Sequence, residues 1–336
     1  VCLTENAVRI DNLATGPNAR GKELDTHQWA ILAAVSAIHL GEAVRFQLTH
    51  EESLALSGKR LPVSAHFNAA YEGDGQITAL EIELFLDGGA YDFHGSEALE
   101  LTLLHLDNAY ALRDLHVIGR VCKTNLPPRA HLLGSGAAEG IAIIEAILTQ
   151  VAHAAKLPPE KVRQRNFYRP NGQADRAHYG QPVPADDLER VWNQLLQITN
   201  LDACRNEIVN WNNSHPFRPR GIAAIPVKYG IGHDWAGSAR ATVMLNLCSD
   251  GSVQLHVPGV RADTTEAARV RHTVSRHLGI TAESITLHAA SQAGLSNPTP
   301  SVPLTESSLH VRATFDACER LRSELRPIAQ QLLSGK

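Results

Sequence analysis

VSAHFNAAYEGDGQITALEIELFLDGGAY, residues 63 to 91, decides the fold class. Apolar and polar side chains alternate through both halves, the period of a strand with one face in a core. The GDG at 73 to 75 supplies the glycines that a tight reversal between two strands needs, so the stretch reads as a β-hairpin. Upstream, HQWAILAAVSAIHL (27 to 40) carries apolar residues around most of a helix and stops at Gly41, a C′ glycine; we expect a buried helix there. EAVRFQLTH (42 to 50) reads as a strand. Downstream, ALRDLHVIGRVCKTNLP (111 to 127) is extended, and AAEGIAIIEAILTQVAHAAKL (137 to 157) is the longest helix of the first half, expected to be buried. LPPEKVRQRNFY (157 to 168) is a short helix opened by Pro158 and Pro159.

RPNGQADRAHYGQPVPADD (169 to 187) is rich in Gly, Pro and Asp and is the best candidate for a domain boundary. Beyond it come two helical segments reaching to about Trp211, a hairpin ARATVMLNLCSDGSVQLHV (239 to 257) about SDGS, and a helix TTEAARVRHTVSRHLG (264 to 279). A strand ESITLHAA (283 to 290), a Ser/Pro-rich loop and a terminal helix from about Glu306 follow. Strands and helices mix without a regular βαβ repeat, and no GxGxxG follows a strand. The expected class is α+β, mixed sheets with packed helices, in two domains, 1 to 180 and 181 to 336.

Composition narrows the function. The 336 residues have a net charge of -4 and no long run of Lys and Arg, which argues against nucleic acid. Cys2, Cys122, Cys204, Cys248 and Cys318 lie far apart with no CxxC, which suits a reducing cytoplasm and leaves no zinc-ribbon site. The longest apolar stretches read as helices far short of a bilayer span, so no membrane is expected. The chain starts without an initiator Met and holds one methionine, Met244, which reads as a piece of a longer product. Its seventeen histidines, among them His27, His39, His66, His94, His105, His116, His131 and His233, form no HExxH, and no metal site is expected.

One loop stands out: NLPPRAHLLGSGAAEG, residues 125 to 140. Gly134, Gly136 and Gly140 could let backbone N–H groups converge on an anion at a helix amino end. They equally suit a loop-to-helix junction that packs closely, and Leu132 and Leu133 offer an anion nothing.

Five stretches in order, HLDNAY (105 to 110), GRVCKTNLP (119 to 127), KVRQRNFY (161 to 168), RGIAAIPVKYGI (220 to 231) and DGSVQLH (250 to 256), carry a resemblance. They make the chain similar to the molybdopterin-binding subunit of the xanthine dehydrogenase and aldehyde oxidase family of molybdenum hydroxylases. Members of that family oxidise an electron-poor carbon of a purine or aldehyde at a molybdenum pterin, and electrons leave through iron–sulfur clusters to FAD. The resemblance implies purine metabolism as a setting and an iron–sulfur/FAD subunit, or a homologous subunit, as a partner.

Aligned with the family's motifs, the chain departs at the positions that face cofactor and substrate. The loop GGFGGKE becomes PNARGKE (17 to 23), which keeps Glu23, the substrate-contacting glutamate, but puts Arg20 in place of a glycine. The substrate arginine falls at Leu101. In the loop FRGFGGPQG, matched by the stretch around Gly134 and Gly136, the arginine is Leu133, the second phenylalanine Ser135 and the glutamine Glu139. The aromatic clamp and threonine of GISFT become His233 and Asp234, and GGTEMGQG becomes PGVRADTT (258 to 265), with Asp263 facing an anionic cofactor. The segment carrying the family's base glutamate has no counterpart. The resemblance therefore implies a degenerate, pseudoenzyme-like homologue: no cofactor in this chain, Gly134 and Gly136 as remnants of the pterin loop, and Arg20 or Arg261 paired with Asp263 across a closed cleft. The alternatives are a partial chain of an active hydroxylase, with Glu23 as its support, and a pocket for another small molecule lined by Glu23, His131, His233 and Asp234.

Overall fold

The computed structural model describes residues 4, 7–8, 10, 25–92, 95–129, 134, 136–169, 175–184, 187–229, 241–257, 260, 265–289 and 305–335. Contacts gather the chain into two compact units: Gly21–Ala34 with Glu42–Tyr229, and Val1–Arg20, Val35–Gly41 with Gly230–Lys336.

In the first unit, β1 (Val63–Tyr71) and β2 (Ile77–Gly89) form the expected antiparallel hairpin. Gly75, at φ +84°, donates its N–H to Glu72 O, and Gln76 N–H donates to Asp74 Oδ1. β2 also pairs in parallel with β3 (Asp114–Lys123), and a parallel pair needs a crossover, here α3 (Gly95–His105). The sequence reading leaves α3 unassigned because its buried stripe includes Thr102 and His105 and is not a purely apolar one. α4 (Ala137–Ala155) closes the core, setting Ile144, Ile147, Leu148 and Val151 among Leu80, Ile82, Leu84 and Leu86 of β2. At 19 residues α4 is long and apolar enough for a membrane span, contrary to the expectation from sequence; its packing in this core accounts for that apolarity. α5 (Pro159–Arg165), α6 (Leu188–Thr199) and α7 (Leu201–Ser214) follow, and Trp192 of α6 joins the same core.

Two expectations fail. The first helix, α1 (Asp25–Leu40), forms and ends at Gly41 (φ +70°), but it is not buried: Ile31 is 64% exposed, and Leu32, Val35, Ile38 and Leu40 are exposed too. Ala30, Ala33, Ala34 and Ala37 favour helix by intrinsic propensity, which demands no core. EAVRFQLTH forms no strand. Its Thr49 instead caps α2 (His50–Leu56): Thr49 Oγ1 accepts from Glu52 N–H at 3.2 Å while the Glu52 carboxylate accepts from Thr49 N–H at 2.8 Å. The capping box T-x-x-E outweighs a short alternation that finds no strand to pair with among the described residues.

In the second unit, β4 (Met244–Leu247) and β5 (Val253–Val257) form a hairpin about SDGS, where Gly251 takes φ +84° and Asp250 Oδ1 accepts from Ser252. α8 (Thr265–Leu278) crosses to β6 (Ile285–Ala289), which pairs in parallel with β5. α9 (Thr305–Ser334) packs on α8, and Val253, Leu255, Val257, Val270, Val274 and Cys318 form the core. Each unit is thus a hairpin, a crossover helix, a parallel third strand and a long helix. The mixed sheets agree with the expected α+β class.

Candidate functional site at the amino end of α4

The glycine loop feeds the first turn of α4. Gly136 is its N-cap at φ +81°, and a Cβ there would strike Ala98 O and come within 2.6 Å of Leu101 Cβ. A Cβ on Gly140 would strike Thr102 O and come within 3.1 Å of the His105 carbonyl carbon. These two glycines let α4 lie directly on the backbone of α3, as a close-packed junction requires. Ala138 N–H donates to Gly134 O at 3.0 Å and Gly140 N–H to Gly136 O at 2.9 Å, so both amides are engaged within the chain. Gly134, at φ +70°, has open space around it among the described residues.

Among the described residues, Leu101 is a buried alkyl group here. Glu139 sits in the first turn, where the helix dipole favours a carboxylate, and its Oε1 accepts from Arg60 Nη1 at 3.2 Å. Its Oε2 is buried without a partner among the described residues.

A buried polar network is assembled from HLDNAY, KVRQRNFY and RGIAAIPVKYGI together with Glu145 of α4 and His178. Asp107, fully buried, accepts Tyr168 OH at 2.5 Å and Lys228 Nζ at 2.8 Å, with His178 Nδ1 at 3.4 Å. Burial raises the Asp107 pKa, but His178, Lys228 and Tyr168 outweigh it and hold the carboxyl below the usual range. Asn108 donates to Pro226 O and to Glu145 Oε1, both at 2.9 Å, and accepts Lys228 N–H at 2.9 Å. Glu145 also accepts Tyr110 OH at 2.5 Å and Arg163 Nε at 2.6 Å. Burial, then the neighbouring carboxylates, push the Tyr110 and Tyr168 hydroxyls up, so both stay donors. Asn166 holds the hairpin turn, accepting Ile77 N–H at 2.8 Å and donating to Gly75 O at 2.9 Å.

Of the residues singled out in the sequence, the structure brings Gly136 and Leu101 together, with Gly134 two residues before Gly136 in the chain. Arg20, Glu23, His131, Leu133, Ser135, His233, Asp234, Arg261 and Asp263 lie outside the described residues, as does the Arg–Asp263 pairing. The sequence reading passes over Arg60, Asp107, Glu145 and Arg163. Glu145 had a signal: a lone carboxylate inside IAIIEAIL on a buried helix requires a buried partner. Among the described residues no three His, Cys, Asp or Glu side chains gather as a metal site. Among the described residues, the side chains at this end of α4 are a buried alkyl group, Leu101, and a buried carboxylate, Glu139, paired with Arg60.

Comparison with known proteins places this geometry. Residues 3–167 match a molybdopterin cofactor-binding domain, and residues 194–335 match a second domain of the same description. The chain is 30% identical over 330 residues to aldehyde oxidase 2 of Cavia porcellus, covering 98% of this chain and 24% of that protein. It is 29% identical over 328 residues to xanthine dehydrogenase/oxidase of Gallus gallus, again covering 98% and 24%. It spans about a quarter of the length of these relatives. Among solved structures, quinoline 2-oxidoreductase from Pseudomonas putida 86 superposes with a TM-score of 0.73 at 16% identity, over 90% of this chain and 40% of that one. CO dehydrogenase from Oligotropha carboxidovorans gives 0.75 at 14% identity, over 99% and 43%. Both share the fold.

Proposed function

The chain belongs to the xanthine dehydrogenase and aldehyde oxidase family of molybdenum hydroxylases, and from that premise we propose that it has lost cofactor binding and catalysis and serves as a scaffold or binding subunit. The observation that carries this reading is the amino end of α4, where Gly136 is packed onto α3 against Leu101 and the first turn holds the buried Glu139 carboxylate, paired with Arg60. An anionic pterin there would meet a like charge in a poorly solvated place, which costs several kcal/mol unless a cation intervenes, and Arg60 is already committed to Glu139. Among the described residues, the Asp107 and Glu145 network has partners for its carboxylates, with His178 Nδ1 at the edge of hydrogen-bond reach of Asp107 at 3.4 Å.

When bound in the family, the molybdenum pterin supplies the oxidation of a purine or aldehyde carbon; in this chain the described residues orient no substrate toward it. The test is an oxidation assay of the purified chain with hypoxanthine, xanthine and aromatic aldehydes and a dye as electron acceptor. No turnover is expected. Metal-dependent turnover that disappears in Glu23→Ala would overturn the proposal.

One observation favours a second reading. Glu139 Oε2 is a buried acceptor without a partner among the described residues, and the amino and ring N–H groups of a pterin are donors. On that reading the chain is one part of an active hydroxylase whose other parts complete the site. Either way, we propose a partner of iron–sulfur/FAD type or a homologous subunit, and a boundary in the sequence near residues 170 to 190, beyond which α6 and α7 still pack in the first compact unit. The gap between the two family matches, 167 to 194, supports that boundary.

A further inference from the structure

We propose that the loop from His215 to Arg220, following α7, is a preformed docking knob whose Phe217 seats in an apolar pocket with an acidic rim on a partner protein. This inference does not depend on whether the chain holds a cofactor. Phe217 is 97% exposed, and its loop is locked. The Trp211 indole stacks on the His215 ring at 3.8 Å and carries the Arg220 guanidinium at 3.5 Å, while its Nε1–H donates to Arg218 O at 2.9 Å. Asn212 binds the Arg220 backbone both ways, donating to Arg220 O at 3.0 Å and accepting Arg220 N–H at 2.7 Å. His215 N–H donates to Trp211 O at 2.8 Å and Arg218 N–H to His215 O at 3.0 Å, and Pro216 and Pro219 bracket the tip.

Such a loop has lost its conformational freedom before it meets anything, which is the preorganisation that makes an aromatic side chain an effective anchor. At 97% exposed, Phe217 contributes almost no apolar burial to the fold of this chain. The surrounding charge selects the partner: no Asp or Glu occurs between Glu207 and Asp234, while Arg218 and Arg220 are both exposed beside the phenylalanine. A pocket with carboxylates around an apolar floor complements that pattern, and like-charged surfaces are rejected.

The experiment replaces Phe217 by photoreactive benzoylphenylalanine in the full chain, crosslinks in the cells that make it, and identifies the protein and the residue captured. That protein, purified, is then titrated calorimetrically with the unmodified chain and with Phe217→Ala and Arg218→Glu. We expect one dominant protein, captured at an apolar residue flanked by Asp or Glu. Affinity should fall about thirtyfold or more for Phe217→Ala, as for an interface hot spot. For Arg218→Glu it should fall by about tenfold with a weaker salt dependence, and neither variant should shift the melting temperature. The proposal is overturned by no crosslink, by crosslinks spread evenly over many proteins, by capture only of a second copy, of nucleic acid or of lipid, or by unchanged affinity in Phe217→Ala.

Discussion

The two units share a topology and differ in what they bury. In the first, the hairpin β1–β2, crossover α3, strand β3 and helix α4 enclose two ionic hubs, Asp107 and Glu145, which between them bind Tyr168, Lys228, Tyr110, Asn108 and Arg163. In the second, the hairpin β4–β5, crossover α8, strand β6 and helix α9 close over an almost wholly apolar core, with the His310–Glu266 contact at 2.9 Å as its buried pair. The apolar version shows that this topology folds on a core of Val, Leu and Ile. The polar hubs of the first unit therefore serve position: each ties together segments far apart in sequence.

Removing a hub should separate the units most. Asp107→Ala leaves the Lys228 ammonium and the Tyr168 hydroxyl without their acceptor, and we expect a loss of about 3–5 kcal/mol, confined to the first unit. Hydrogen exchange checks this: protection should fall along β2 and α4 and persist along β5 and α8. Next in size is Gly136→Ala, which sets a Cβ against Ala98 O and holds alanine at positive φ; about 2–3 kcal/mol is expected by urea unfolding. Gly134→Ala, with open space around it, should carry the φ strain alone, about 1 kcal/mol. In the second unit, His310→Ala leaves Glu266 Oε1 without this partner and should cost about 1–2 kcal/mol, seen as lower protection in α8 only.

The smallest contrast lies in acid. The Asp107 carboxyl titrates lower in the folded than in the unfolded chain, so its contribution is complete above the ordinary aspartate pKa, about 3.9, and is lost as pH falls through the lower folded value. The first unit should lose stability faster than the second below about pH 4, and Asp107→Asn should flatten that limb relative to its own neutral-pH stability.

Much of the fold was legible because strand alternation, proline starts and glycine stops are local. β1, β2, β4 and β5 follow from alternation about GDG and SDGS, and α4 from its apolar run. α3 was not legible, since Thr102 and His105 take buried positions through bonds to the backbone one turn earlier, which no periodicity of apolar residues reveals. α1 misled in the opposite direction: an apolar composition without a core to meet it. At the candidate site, Gly136 and Leu101 were singled out by the resemblance to the family's loops, and the fold sets them side by side. The Arg60–Glu139 and Arg163–Glu145 pairs were not, because each joins residues whose proximity is created by the tertiary fold.

Metal and pterin content of the purified, full chain tests the central claim most directly, with molybdenum measured by mass spectrometry and pterin by fluorescence after oxidative release. A chain whose α4 end presents Leu101 and Glu139 should carry neither above background, even when made in cells that load cofactor into active molybdenum hydroxylases. Molybdenum and pterin near one equivalent per chain, released together on unfolding, would contradict it.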